Sequence, residues 1–250
     1  MTMFRSFLAG LVLTSASACG GASPSAETPP PAQHGHHAHG AHTHPPGAHH
    51  HGHAMHHRFD DPETWAQEFD APERDAWQQP DRVVMALGLR PDAVVADLGA
   101  GTGYFSVRLA RAVPQGRVLA IDVEPSMVRY LADRAAREGL PNMLAVEGTA
   151  TDAGIREPVD LVLVVDTYHH IADRTSYFAA LRERLRSGGR LAIVDFRLDS
   201  ERGPPREHKI APEQVRHELE AAGFRLVTTH DFLPDQYFLV FEGRNDASTP

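Results

Sequence analysis

Four groups of residues have types and spacings suited to chemistry. The first is Asp97-Leu98-Gly99-Ala100-Gly101-Thr102-Gly103-Tyr104. Glycines at alternate positions let the backbone turn sharply and let a ligand approach it closely. A dinucleotide fingerprint wants its third glycine one place later, where Tyr104 stands, and no Gly-Lys-Ser/Thr ending follows. NAD, FAD and a phosphate-cradling loop are therefore disfavoured. The second is Asp122, because an acid about 20 residues beyond such a loop is placed to accept hydrogen bonds from ribose hydroxyls. The third is Asp166-Thr167-Tyr168-His169-His170, which closes an apolar run. His170, with Asp166 beside it, could act as a general base or could cap and orient the loop; an adjacent histidine pair specifies no mechanism by itself, and the structural role is favoured. The fourth lies upstream. Twelve of the 17 histidines are His34, His36, His37, His39, His42, His44, His49, His50, His51, His53, His56 and His57. Imidazole is a ligand for Zn, Ni and Cu. The irregular spacing points to a multi-ion binder rather than one tetrahedral site. A solvated linker, or a tract that gains charge below about pH 6.5, is the alternative.

Those side chains need elements to hold them. Val94, Val95 and Ala96 begin a buried strand, and Tyr104, Val107, Leu109 and Ala110 give the following helix its apolar face. Residues 117–122 read as the next strand, ending in Asp122. Glu124-Pro125-Ser126 then starts a helix that runs through Met127, Leu131 and Ala135 to Gly139. Residues 142–148 are a third strand. The run from 159 is a fourth, nearly all apolar as a central parallel strand should be. Ligands bind beyond the carboxyl ends of such strands, so Asp166 to His170 face a pocket. A helix, a turn at Gly188-Gly189 and a fifth strand over 190–196 follow. A helix with Pro212 in its first turn stops at Gly223, and two antiparallel strands joined at Pro234-Asp235 close the chain. Two helices are expected between Pro62 and Leu89, the second opened by Pro80 and stopped by Gly88 and Pro91. Strands alternating with helices make an α/β domain with helices on both faces.

The glycine loop, Asp122 and the later strands together resemble the motifs of the class I S-adenosylmethionine-dependent methyltransferases, over about residues 70–243. The resemblance implies a Rossmann-like, seven-stranded, mostly parallel sheet with an antiparallel last strand. It implies S-adenosylmethionine as cofactor, held by Asp97 at the methionine end and by Gly99, Ala100, Gly101, Thr102, Gly103 and Tyr104 along the loop. Asp122 and Val123 fall at the ribose, Met127 and Thr149-Ala150 near the adenine, and Asp166 beside the cofactor. The family often has an aspartate where Thr149 and Ala150 stand; here Asp152 comes slightly later. Met127 could equally be a core residue. The stretch with Phe69, Arg74, Trp77 and Gln79 resembles the N-terminal lid of small-molecule methyltransferases. Trp65 and Trp77 line a pocket or pack, and packing is favoured because aromatics bury large areas. The pattern looks like the quinone-biosynthesis type, which implies a small-molecule methyl acceptor. Nothing identifies the accepting atom as C, N, O or S, and nothing sets the oligomeric state.

The formal charge of −9 over 250 residues argues against a nucleic-acid partner. Residues 1–18 read as a signal: Arg5, then an apolar-to-small run from Phe7 to Ala18 too short to span a bilayer. Ala16-Ser17-Ala18-Cys19-Gly20 resembles a bacterial lipoprotein signal, which implies cleavage before a lipidated Cys19 and export to the cell envelope on a membrane anchor. An ordinary secretory signal is the alternative. Cys19 is the only cysteine, so no intramolecular disulfide forms. Residues 19–58 cannot bury a core and are expected to be a disordered His-rich linker. The methyltransferase domain then covers 59–246, with a tail over 247–250. The rival is a metal-binding surface lipoprotein whose methyltransferase-like domain is a non-catalytic binding module. Its motive is that S-adenosylmethionine is made in the cytoplasm while Cys19 implies export.

Overall fold

Apolar runs of five to seven residues with β-branched side chains, separated by helices of amphipathic pattern, can bury both faces of a sheet only in a layered α/β structure. The structure, a computed structural model that describes residues 62–244, has that form. The signal, Cys19 and the twelve upstream histidines lie outside the described residues.

Seven strands form one sheet: β1 (Val94–Leu98), β2 (Arg117–Asp122), β3 (Met143–Glu147), β4 (Val159–Val165), β5 (Leu185–Phe196), β6 (Phe224–His230) and β7 (Gln236–Gly243), in the order β3-β2-β1-β4-β5-β7-β6. The pairs among β1 to β5 are parallel, and β7 runs antiparallel to both its neighbours. This is the Rossmann-like methyltransferase sheet that the resemblance implies. The chain winds from β1 outward to β2 and β3, then crosses back to β4 on the other side of β1. The loops after β1 and β4 therefore leave in opposite directions and open a crevice at their carboxyl ends.

Successive side chains of a strand point to opposite faces. Val95 joins a core with Val83, Leu87, Val107, Leu109 and Leu131. These come from α3 (Pro80–Ala86) and its C-cap, α4 (Tyr104–Ala112) and α5 (Pro125–Arg137). Val94 and Ala96 join the other core with Phe178, Leu181, Val215 and Leu219, from α6 (Arg174–Arg182) and α7 (Pro212–Ala221). Fully burying such side chains contributes roughly 1.5–3 kcal/mol each. Prolines open α3, α5 and α7 at the first turn, where the missing N–H has no partner to lose.

Three local expectations change. The segment before β1 holds three helices rather than two: α1 (Pro62–Phe69), α2 (Glu73–Gln78) and α3. The unexpected break is the one between α1 and α2, just before Pro72, while Gln79 at φ 47° marks the expected boundary before Pro80. The first strand runs on through Leu98, so the glycine loop starts only at Gly99. The Gly188-Gly189 turn lies inside β5: Val159 pairs with Leu185 but Leu161 with Arg190. The intervening residues bulge out, with Gly188 at φ 74°.

Candidate active site

All three loop glycines take left-handed backbone, with φ 76° at Gly99, 55° at Gly101 and 88° at Gly103. Gly99 N and Ala100 N both donate to Ile121 O, at 2.9 and 2.8 Å, which ties the loop to β2. Asp122 completes the tie. Its Oδ2 accepts from Gly101 N at 2.8 Å and its Oδ1 from Glu124 N at 3.0 Å. One carboxylate thus joins the loop to the start of α5. From the other side of the crevice, β4's exit loop presses in. A Cβ at Gly99 would lie 2.2 Å from Thr167 Oγ1.

Acids stand at or next to the carboxyl ends of the four central strands: Asp97, Asp122, Asp166 and Asp195. Asp97 is buried, accepts from Ser106 Oγ at 2.5 Å, and is pushed up to about 6 by that burial. Asp166 takes φ 52°, unusual for a non-glycine residue. It accepts from Gln78 Nε2 at 2.9 Å, from Gln236 Nε2, and from Arg74 Nη2 at 3.5 Å. Burial also raises Asp166 to about 6 against the opposing charge of Arg74. Asp122 is shifted upward by burial too.

The segment that resembles a lid covers the loop. Phe69 comes within 3.6 Å of where a Cβ of Gly101 would be. Arg134 Nη1 donates to Asp70 Oδ2 at 2.6 Å and to Thr102 O at 2.8 Å, pinning the end of α1 to the loop. Arg74 lies 4.1 Å over the Tyr104 ring and donates to Phe69 O at 2.7 Å, while Arg108 lies 4.2 Å over the same ring. The Tyr104 hydroxyl donates to Asp75. Gln79 reaches Phe232 O at 3.1 Å rather than the crevice; Gln78 is the glutamine that enters the site. Trp65 stacks on Phe69 and Trp77 lies 5.8 Å from Phe196, both packing contacts.

The remaining candidates divide. Val123 is exposed at the loop end of β2, whereas Met127 is fully buried, as a core methionine would be. Thr149 and Ala150 are exposed. Asp152 is committed to its own turn, accepting from Gly154 N and from Arg156. Of the histidine pair, His170 is exposed, and the ring that the fold buries is His169. His169 Nδ1 stands 3.0 Å from both oxygens of Asp195.

Residues 95–189 match the family described as a methyltransferase domain. That match spans the glycine loop, Asp122 and the end of β4. The erythromycin 3''-O-methyltransferase of Saccharopolyspora erythraea is 33% identical over 52% of this chain. The ubiquinone/menaquinone biosynthesis C-methyltransferase of Hydrogenovibrio crunogenus is 32% identical over 44% of it. The chain spans 44% of the length of each of these two. A SAM-dependent methyltransferase from Aquifex aeolicus superposes with a TM-score of 0.67 at 26% identity, covering 72% of this chain and 97% of its own.

The geometry of this crevice suits S-adenosylmethionine, the cofactor named for the Aquifex aeolicus protein. S-adenosylmethionine carries a sulfonium, an ammonium and a ribose diol. Buried carboxylates that burial has destabilised gain from a nearby cation, and Asp97 and Asp166 are such groups. Among the described residues no cluster of three or more His, Cys, Asp or Glu could hold a metal ion. Sequence reasoning missed Asp195, Gln78, Gln236 and Asp70. Asp195 had a signal, since it ends an apolar run as Asp122 and Asp166 do. The two glutamines had none, because they reach Asp166 from segments 88 and 70 residues away.

Proposed function

We propose that this methyltransferase domain binds S-adenosylmethionine and transfers its methyl group to a small molecule. The observation that carries the proposal is the carboxylate of Asp122, which holds the amide of Gly101 and leaves the loop set beside buried Asp97. A carboxylate has about four lone-pair sites, and two N–H groups leave Asp122 capacity for ribose hydroxyls. Asp97 would face the methionine end, and Phe69 and Arg74 would close over the loop and exclude water. Much of methyl transfer is positioning, which such a clamp supplies. When bound, the cofactor supplies an electrophilic methyl on a good leaving group. Calorimetry tests this. S-adenosylmethionine or its demethylated product should bind, and Asp122→Ala should weaken binding by about 1–3 kcal/mol. No heat of binding to the folded protein refutes it.

The acceptor is proposed to be a small molecule; the two relatives differ in whether an O- or a C-methyltransferase is named. We further propose that the protein is exported and anchored through a lipidated Cys19, on the strength of Ala16-Ser17-Ala18-Cys19, and that the upstream histidines bind Zn, Ni or Cu. A non-catalytic binding module is favoured by one observation, the absence of a free carboxylate at Thr149-Ala150. Methyl transfer to any acceptor by the purified protein excludes it.

A further inference from the structure

We propose that α1 is a gate: Phe69 plugs the glycine loop in the ligand-free protein, the Asp70–Arg134 pair latches it there, and S-adenosylmethionine enters when α1 swings out about Ala71-Pro72. The proposal rests on the cofactor reading above and adds how access to that site is controlled.

Each loop glycine leaves a notch where a side chain would otherwise stand, and a ligand that comes close to the backbone uses such a notch. The fold itself fills two of the three. A Cβ at Gly99 would meet Thr167 at 2.2 Å, and one at Gly103 would lie 2.9 Å from Leu131 and 3.1 Å from Met143, both core residues. The notch at Gly101 differs. What stands within 4 Å of it is two ring carbons of Phe69, at 3.6 and 3.7 Å. Phe69 is partly buried and is the last residue of α1. The notch left for a ligand is therefore closed by an element from outside the sheet.

The two helices of this segment are held differently. α2 is anchored to the sheet and to α4. Gln78 is fully buried, and its Nε2 donates to Asp166 Oδ2 at 2.9 Å and to Gln236 Oε1 at 3.0 Å. Asp75 accepts from Arg108 Nη2 at 2.9 Å and from the Tyr104 hydroxyl. α1 has Pro62 as its one buried residue, and Glu63, Thr64, Gln67 and Glu68 are exposed. Asp70 fixes its end: Oδ2 accepts from Arg134 Nη1 at 2.6 Å and Oδ1 from Thr102 Oγ1 at 3.4 Å. Between the helices the ladder stops. Asp70 N and Ala71 N donate back to Ala66 O and Glu68 O, but Pro72 has no N–H to carry it on, and a residue before proline is disfavoured in helical backbone. Arg74 Nη1 donates to Phe69 O at 2.7 Å across this break, which ties the helices at the pivot. The latch also releases cleanly. Arg134 Nη1 donates to Thr102 O at 2.8 Å as well, so the arginine stays on the loop when Asp70 leaves.

A gate that is shut both before and after binding slows entry and exit alike. Loosening it raises both rates and leaves the equilibrium nearly unchanged. A side chain that only contacts the bound ligand changes the exit rate and the affinity instead. This difference makes the two roles separable.

The test uses the full-length protein with S-adenosylmethionine as the probe. Trp65 stacks on Phe69 with 5.3 Å between ring centroids, so stopped-flow tryptophan fluorescence follows α1. Asp70→Asn keeps the shape and removes the charge. It should raise the association and dissociation rate constants about tenfold each, the scale of one charge-assisted hydrogen bond, while Kd moves by less than about threefold. Phe69→Ala removes the plug and keeps the latch, and it should also speed association. Hydrogen exchange on the ligand-free protein gives a second readout. Asp70→Asn should quicken exchange over residues 63–71 and leave residues 74–78 and β1 unchanged, as for a local opening. Unchanged association in both variants, a dissociation rate that rises alone with a matching loss of affinity, or exchange that quickens through α2 and the sheet overturns the proposal. Absence of binding by the wild type is the separate sign that the cofactor reading has failed; the exchange comparison then still decides whether Asp70 latches α1.

Discussion

Asp97 and Asp166 are acids that the fold makes harder to ionise, both pushed to about 6 by burial. An unfolded aspartate ionises near 3.9. Between those values the native protein holds protons that the unfolded chain has lost, so the cost grows as pH rises and is complete above about 6. His169, raised by Asp195, adds stability below its unfolded value that is lost as pH climbs through its folded one, which has the same sign. Glu218, held down at about 2 by Arg174 and Tyr168 despite burial, is constant over this window. The ligand-free protein should therefore be more stable at pH 5 than at pH 7.5, by about 1–2 kcal/mol for each buried acid. Urea unfolding at the two pH values measures this, and Asp97→Asn should shrink the difference. An equal or larger difference in Asp97→Asn would mean that Asp97 is not strained.

At the scale of elements, the loop and the lid separate two kinds of constraint. Gly99 and Gly101 both need left-handed backbone, which costs a residue with a Cβ about 1–2 kcal/mol. Gly99 alone also meets the side chain of Thr167 at 2.2 Å, while Gly101 has ordinary room beneath Phe69. Gly99→Ala should thus cost clearly more than Gly101→Ala in denaturant midpoints. Equal costs would show that Thr167 moves aside freely. Arg74 is the joint of the lid, touching Tyr104, Phe69 O, Gln78 and Asp166. Arg74→Ala should speed amide exchange across residues 62–79 and leave α6 and α7 unchanged, as expected for local opening. Uniform acceleration through the whole sheet would mean that Arg74 supports the fold rather than the lid.

At the scale of the whole molecule, a tract rich in Gly, Pro, Ala and His is expected from its composition to transmit little strain to the domain that follows it. Deleting residues 34–57 should therefore remove most zinc or nickel uptake and leave S-adenosylmethionine affinity unchanged. Paired titrations on the full chain and the deletion decide it. A tenfold change in cofactor affinity, about 1.4 kcal/mol of coupling, would make the tract regulatory. Metal uptake should also fall below about pH 6.5, as protons compete for imidazole. Cys19→Ser should release the protein from membranes if Cys19 carries the lipid. An unmodified Cys19 on a soluble mature protein rules the anchor out.

The sequence determined most of the elements and the glycine-loop side of the crevice, because both are local. Short apolar runs mark β1, β2 and β4, 3.6-residue patterns mark α4 to α7, and the loop with Asp122 is a short-range motif. It missed the break between α1 and α2, and it read the Gly188-Gly189 bulge inside β5 as a turn between elements, where Gly188's φ overrides the run around it. Tertiary structure alone decided how the groups after β4 and β5 are partnered. Which histidine of the pair turns inward depends on a short 3-10 turn over Tyr168–His170 and on Asp195 arriving from β5, 26 residues on. Gln78 and Gln236 meet at Asp166 because β7 inserts between β5 and β6 and brings Gln236 opposite Phe196. Local patterns encode backbone conformation and burial; the partner of a buried polar group is set by which strands lie side by side.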